Sequence, residues 1–299
     1  MRTVNRWLGL VLSVWLLSGA SHAAANPCWR ELHFAAGNTW LAATTDIRYQ
    51  TLATTVALAE LQSAPAMSVL VPAASSVGQI HVSFEAVRSQ GELDTWFDPG
   101  TGAALQSVRT SQGRDSRQKL HRFTSNGVWR ERREAAPASM GIGSGWTPTT
   151  SKQIEYPIKI SVDDPVITPL MLIEHAARLV RDGQKTVSQH LVFTDTQLYR
   201  VTLELAPEQK LAAKFTLVQD TQSTRVNEPR TARRVSINAQ LLGEEAENDV
   251  FSLLELSGEL AIYIDVRTGV PLRIEGTATG LGTVPVTISK AVLARDCGR

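Results

Sequence analysis

The sequence predicts a mainly β protein, and three observations carry that prediction. Apolar and polar residues alternate with period two in many short runs, turn-forming residues separate the runs, and one segment alone is well signalled as a helix. Short turns between consecutive strands favour antiparallel pairing.

The first segment reads as an address. Arg2 and Arg6 precede an apolar stretch, Trp7 to Leu17, and Ser21-His22-Ala23 or Ala23-Ala24-Ala25 offers small residues for cleavage. Residues 1–23 are therefore expected to be a signal peptide, with cleavage after 23 or after 25, and the protein is expected to be exported. The stretch is shorter than the roughly 20 apolar residues of a membrane span, so no transmembrane segment is expected after cleavage.

Leu52 to Leu61 fits either a strand or a helix. Gln79 to Val87 alternates as a strand does. In Asp98-Pro99-Gly100-Thr101-Gly102, proline presets φ and glycine accepts a positive φ, so Glu92 to Phe97 should fold back on Ala103 to Thr110. Strand patterning resumes from Gln118 to Glu134. Ala135 to Ser151, rich in Gly, Ser, Pro and Thr around Trp146, reads as a loop. Residues 24–299 read as a single β-rich domain, or as two halves joined near 135–151.

The helix is expected at about 169–182. Thr168 can cap it, Pro169 suits its first position, and Leu172, Ile173, Ala176, Leu179 and Val180 recur at helical spacing. Arg178 and Arg181 oppose the negative end of the dipole, and Gly183 can end the helix in a left-handed conformation. It should pack on a face or mouth of the sheet. Further strand runs are Thr186 to Phe193, Leu198 to Leu205, Leu211 to Val218, Arg234 to Leu242, Leu256 to Asp265, Val270 to Thr277 and Thr283 to Val292. Asp220 to Thr231 is polar throughout and reads as a loop. The turn Asp265-Val266-Arg267-Thr268-Gly269 repeats the chemistry of the turn at Asp98, as a duplicated unit or by convergence of hairpins.

Charge and composition exclude several functions. The chain has 30 basic and 29 acidic residues, and loss of the signal segment removes two arginines, leaving 28 against 29. A nearly neutral protein is a poor partner for nucleic acid. The two cysteines, Cys28 and Cys297, stand at opposite ends of the mature chain, and in an oxidising compartment they are expected to form a disulfide.

Catalytic motifs are scarce in the sequence. His33, His81, His121, His175 and His190 make no local metal motif, so neither a metal nor a cofactor is expected. Gly141-Ile142-Gly143-Ser144-Gly145 sets its serine one position away from a nucleophile elbow. Asp163-Asp164 and Glu244-Glu245 are acid pairs of the kind that solvated loops carry. No catalytic residue is assigned. In Trp129-Arg130-Glu131-Arg132-Arg133-Glu134, a strand would place Arg130, Arg132 and Glu134 on one face and Trp129, Glu131 and Arg133 on the other. A solvated edge with cross-strand ion pairs explains the run. The alternative is an inward arginine that binds an anionic head group, since guanidinium geometry suits it.

Several stretches resemble a group of Gram-negative periplasmic proteins of unknown function. These are Trp96-Phe97-Asp98-Pro99-Gly100-Thr101-Gly102 followed by Lys119-Leu120-His121-Arg122-Phe123 and Gly127-Val128, then Asp164-Pro165-Val166-Ile167-Thr168-Pro169-Leu170, then Leu198-Tyr199-Arg200-Val201, and then Gly258-Glu259-Leu260-Ala261-Ile262-Tyr263 with Val270-Pro271-Leu272-Arg273-Ile274 and Leu281-Gly282. The resemblance implies a periplasmic location and an antiparallel sheet curved into a barrel or half-barrel, similar in outline to the lipoprotein carriers LolA and LolB. It implies no reaction and assigns no site residues.

The expected function is binding of a lipid or other hydrophobic envelope component. Candidate ligand-binding residues are Arg130, Arg132, Trp146, Phe84 and Phe123, with Val82, Leu120, Val201, Leu203, Ile262 and Ile264 as lining or core positions. The alternatives are an envelope polysaccharide or lipid hydrolase using Asp163 and Glu245, or a protein-binding assembly factor. The oligomeric state is not legible.

Overall fold

The computed structural model describes residues 27–36, 43–65, 68–86, 89–112, 116–135, 145–244, 250–278 and 282–295. The expected signal peptide, Cys297, Glu245 and residues 141–144 of the glycine-rich motif lie outside the described residues. The N-terminal strands are β1 (Trp29–Ala36), β2 (Ala43–Ala53), β3 (Ser76–Ala86), β4 (Ser89–Phe97), β5 (Ala104–Gln112), β6 (Arg117–Phe123), β7 (Gly127–Ala135) and β8 (Trp146–Glu155). Those that follow are β9 (Val166–Ile167), β10 (Val187–Phe193), β11 (Leu198–Gln219), β12 (Gln222–Leu242), β13 (Ser257–Asp265), β14 (Pro271–Ala278) and β15 (Gly282–Leu293). Helix α1 covers Thr54–Glu60, and helix α2 covers Leu172–Asp182 behind a 3-10 turn at Pro169–Met171.

Among the described residues all fifteen strands belong to one sheet, in the order β8-β7-β6-β5-β4-β3-β2-β1-β15-β14-β13-β12-β11-β10-β9. Pairing is antiparallel except between β9 and β10 and over a three-residue seam, where Thr216–Val218 of β11 runs parallel to Lys290–Val292 of β15. The sheet is curved. Phe193 on β10, near one end of the strand order, packs edge-on against Phe123 on β6, near the other end, with ring centroids 6.1 Å apart. Tyr156, just beyond β8, meets the same Phe193 ring at 6.2 Å.

The helix α2 sits within the main core. Leu172, Ile173, Ala176, Ala177, Leu179 and Val180 are all buried, in one cluster with Leu32, Phe34, Ile47, Val201, Leu203, Ile262 and Ile264 from the strands. The predicted helix is thus present at its predicted place, and Gly183 ends it at φ 61°. The predicted cap is absent. Thr168 makes no side-chain capping bond, because the 3-10 turn intervenes and the Thr168 carbonyl accepts from Met171 N–H at 3.1 Å instead.

Three other expectations change. The undecided run at Leu52 to Leu61 is divided between the end of β2 and α1, which packs Ala57 against Val77, Trp96 and Leu105 on the opposite face of the sheet. Ala135 to Ser151 is not a loop throughout, because Ala135 ends β7 and Trp146–Glu155 pairs with it as β8. β8 is the last strand of the sheet, so most of its side chains meet solvent and an edge accommodates Pro148. Asp220 to Thr231 is likewise mostly strand: after a turn at Asp220, β12 runs back along β11 from Gln222. That arm is largely exposed, so it lacks the alternation of a half-buried strand.

The two matching turns are built alike. Asp98 N–H donates to the Ala103 carbonyl at 2.9 Å and its carboxylate accepts from Gly100 N–H at 2.8 Å; Asp265 N–H donates to the Val270 carbonyl at 2.9 Å and its carboxylate accepts from Arg267 N–H at 3.1 Å. Gly102 and Gly269 close them at φ 79° and 68°, a conformation that glycine adopts without steric cost.

Candidate functional site

The side of the sheet that carries Phe123 and Val128 also carries a row of cations. Adjacent strands place Arg109 opposite Lys119 and Lys119 opposite Arg132, while the next row places Ser107, His121 and Arg130 side by side. Like charges directly opposite one another are unfavourable unless anions intervene. Two carboxylates do so here. Asp195, in the turn between β10 and β11, accepts from Arg130 Nε and Nη2, each at 2.9 Å, from Lys119 Nζ at 2.5 Å, and lies 3.3 Å from His121 Nε2. Glu255 accepts from Arg109 Nη1 at 2.8 Å.

The electrostatics follow from this geometry. Burial alone would raise the Asp195 carboxyl, but the hydrogen bonds from His121 and Arg130 overturn that effect and hold it far below the usual carboxylate range. Burial lowers the Lys119 ammonium from its ordinary value, against the pull of Asp195. Arg109 is also braced by Phe84, whose ring centroid lies 5.6 Å from its guanidinium carbon. The Phe84 ring in turn occupies the space above Gly91, where a Cβ would come within 2.5 Å of it.

A cleft of about 240 Å³ opens over this row, lined by Arg109, Ser111, Arg117, Lys119, Asp195, Val250, Ser252 and Glu255. Arg117 and Arg132 make no ion pair among the described residues. A second cavity, of about 230 Å³, lies on the opposite face among Asp46, Glu85, Glu92, Gln90 and Gln112, and its lining among the described residues holds no cationic side chain. The first is suited to holding an anion. It presents several N–H donors.

The predicted site residues divide. Arg130 faces this cluster, and its charge is taken up by Asp195; Arg132 lies on the same face, exposed, next to Lys119. Phe84 reaches the site through Arg109. Phe123 is 1 % exposed and belongs to the core, as do Val82, Val201, Leu203, Ile262 and Ile264, while Leu120 is buried on the other face. Trp146 is half-buried at the start of β8, opposite Ala135, and does not line the cleft. Asp163 is an exposed turn residue. Arg109, Arg117, Lys119, Asp195 and Glu255 were not among the predicted residues. The signal available was the spacing of Arg117, Lys119 and His121, then Arg130 and Arg132, which puts each set on one strand face.

Two further polar groups sit away from the cleft. Arg122, 3 % exposed, donates from Nε to the Gln62 carbonyl at 3.0 Å, from Nη2 to the Leu70 carbonyl at 2.9 Å, and from Nη1 to the Leu105 carbonyl. Its burial lowers the guanidinium to about 10. His175 on α2 and His190 on β10 meet with ring centroids 4.2 Å apart and planes tilted by 44°, and Ser188 Oγ lies 3.1 Å from His190 Nε2. Burial holds His175 well below the ordinary histidine value and His190 at about 4.

Fold and site together define a mainly β protein with a charged cleft on the face of its curved sheet that carries the main core. In comparison with known proteins, the chain matches no protein-family model, no curated protein and no solved structure.

Proposed function

We propose that this is a binding protein of the bacterial envelope, exported by its signal segment, tied at its ends by Cys28 and Cys297, and similar in outline to the periplasmic lipoprotein carriers. The ligand is an envelope component with an anionic head group, held in the cleft of Arg109, Arg117 and Lys119. The observation that carries this reading is the cleft over the cross-strand row Arg109, Lys119 and Arg132: its lining sets Arg109, Arg117 and Lys119 against the carboxylates of Asp195 and Glu255, and Arg117 makes no ion pair among the described residues. The apolar side chains once expected to line a cavity instead fill the core, so recognition rests on the head group.

The test is native mass spectrometry of the mature protein purified from a periplasmic extract without detergent, followed by identification of what is released. A reproducible anionic amphiphile, lost in an Arg109→Ala and Arg117→Ala double variant, supports the proposal. An unliganded mass that persists after incubation with total envelope lipids overturns it.

A further inference from the structure

We infer that the cleft takes a phosphate group and that Glu255 holds the place of that phosphate on Arg109 until it is displaced. The inference rests on the reading of the cleft as the binding site and adds the chemical class of the ligand and the means of its exchange.

The turn that carries Glu255 is the first observation. Leu253 N–H donates to the Leu256 carbonyl at 2.8 Å and Leu256 N–H donates back to Leu253 at 3.0 Å, so Leu254 and Glu255 form a two-residue hairpin turn. Both stand at positive φ, 50° and 65°, where the favoured residues are asparagine and glycine. Neither leucine nor glutamate is suited to this conformation, and strain of this kind collects at sites that change state. The Glu255 side chain is 65 % exposed, yet its carboxylate is spent on Arg109.

Charge is the second observation. The two carboxylates at the cleft are not equivalent. Asp195 is fixed by Arg130, Lys119 and His121 from β6 and β7, whereas Glu255 pairs with Arg109 alone among the described residues and hangs from a strained turn. With Glu255 withdrawn, the cleft lining sets Arg109, Arg117 and Lys119 against Asp195, with Glu134 opposite Arg117 in register but outside the lining, and Ser111 and Ser252 add hydroxyl donors at its wall. A phosphate suits that set better than a carboxylate, because its extra charge and additional acceptor oxygens can engage two guanidinium groups at once.

The test is isothermal titration of the full mature chain with two probes, inorganic phosphate and dihexanoyl phosphatidic acid kept below its micelle concentration. The variants are Glu255→Gln, Arg109→Ala and Arg117→Gln. The last is included because Arg117 is exposed and makes no ion pair among the described residues, so folding should be untouched. Glu255→Gln is expected to bind phosphate at least tenfold more tightly than the parent, and the two arginine variants at least tenfold more weakly. Phosphatidate binding well above inorganic phosphate supports a lipid head group, and equal binding supports free phosphate. An unchanged affinity in Glu255→Gln overturns displacement. Absence of binding of either probe to the folded parent and to Glu255→Gln overturns the phosphate assignment, and a ligand then found by native mass spectrometry would leave the binding reading standing.

Discussion

Asp195 and Arg130 form a two-pronged ion pair, with Nε–Oδ1 and Nη2–Oδ2 both at 2.9 Å, across 65 residues of sequence. Arg130 is on β7, next to one end of the strand order, and Asp195 follows β10, next to the other. The pair therefore helps to hold the curvature of the sheet by side chains where no backbone ladder joins those strands. Replacing Asp195 with Ala should destabilise the fold by roughly 2 kcal/mol, less than for a fully buried pair because about a third of the side chain is in water. Urea unfolding of the variant measures it.

The same carboxylate sets an acid limit. Its folded pKa is depressed, so its contribution is complete above the ordinary aspartate value of about 3.9 and is lost as pH falls from there toward the folded value. The difference in Tm between the parent and Asp195→Asn should be constant from pH 7 to pH 5 and shrink below pH 4. A difference that stays constant down to pH 2 would contradict this.

The paired histidines act at milder acidity and with the opposite cause. Both are held neutral in the fold beside Arg178, so the unfolded chain binds more protons below its own histidine pKa, about 6.5. Stability should fall as pH drops from 6.5 toward the folded value of about 4 for His190. In His190→Gln that slope should flatten, read as Tm against pH.

Arg122 holds three carbonyls from separate stretches of chain, at Gln62, Leu70 and Leu105. Arg122→Met keeps much of the bulk and leaves those acceptors without a donor, at roughly 1 kcal/mol each, or about 3 kcal/mol in all. Hydrogen exchange should rise first near Leu70, whose own N–H is bonded to the Phe123 carbonyl at 2.9 Å.

The ends of the chain give a covalent prediction. Ala294 N–H donates to the Cys28 carbonyl at 3.0 Å, which brings the first described residues within three positions of Cys297. Unreduced, denatured mature protein should take up no thiol reagent. Reduction should lower Tm, with an upper bound of about 5 kcal/mol from loop closure.

The β class, the helix at 169–182 and the hairpins at Asp98 and Asp265 were legible in the sequence because each depends on local chemistry: alternation, helical spacing, and the φ preferences of proline and glycine. β8 and the outer arm of β12 were not legible. Both are largely solvated, and a strand without a buried face leaves no period-two signal. The cleft was legible only in part. Arg130 and Arg132 stood out by their spacing, but their neighbours Arg109 and Lys119 come from other strands, and register alone sets them opposite. Asp195 and Glu255 belong to turns whose sequences name no partner. Sequence by itself determined which segments become strand, helix and turn, since those choices are made by each residue and its near neighbours. Only the tertiary structure decided which charges meet, because Coulomb attraction depends on distance in space, and the curvature of the sheet sets those distances.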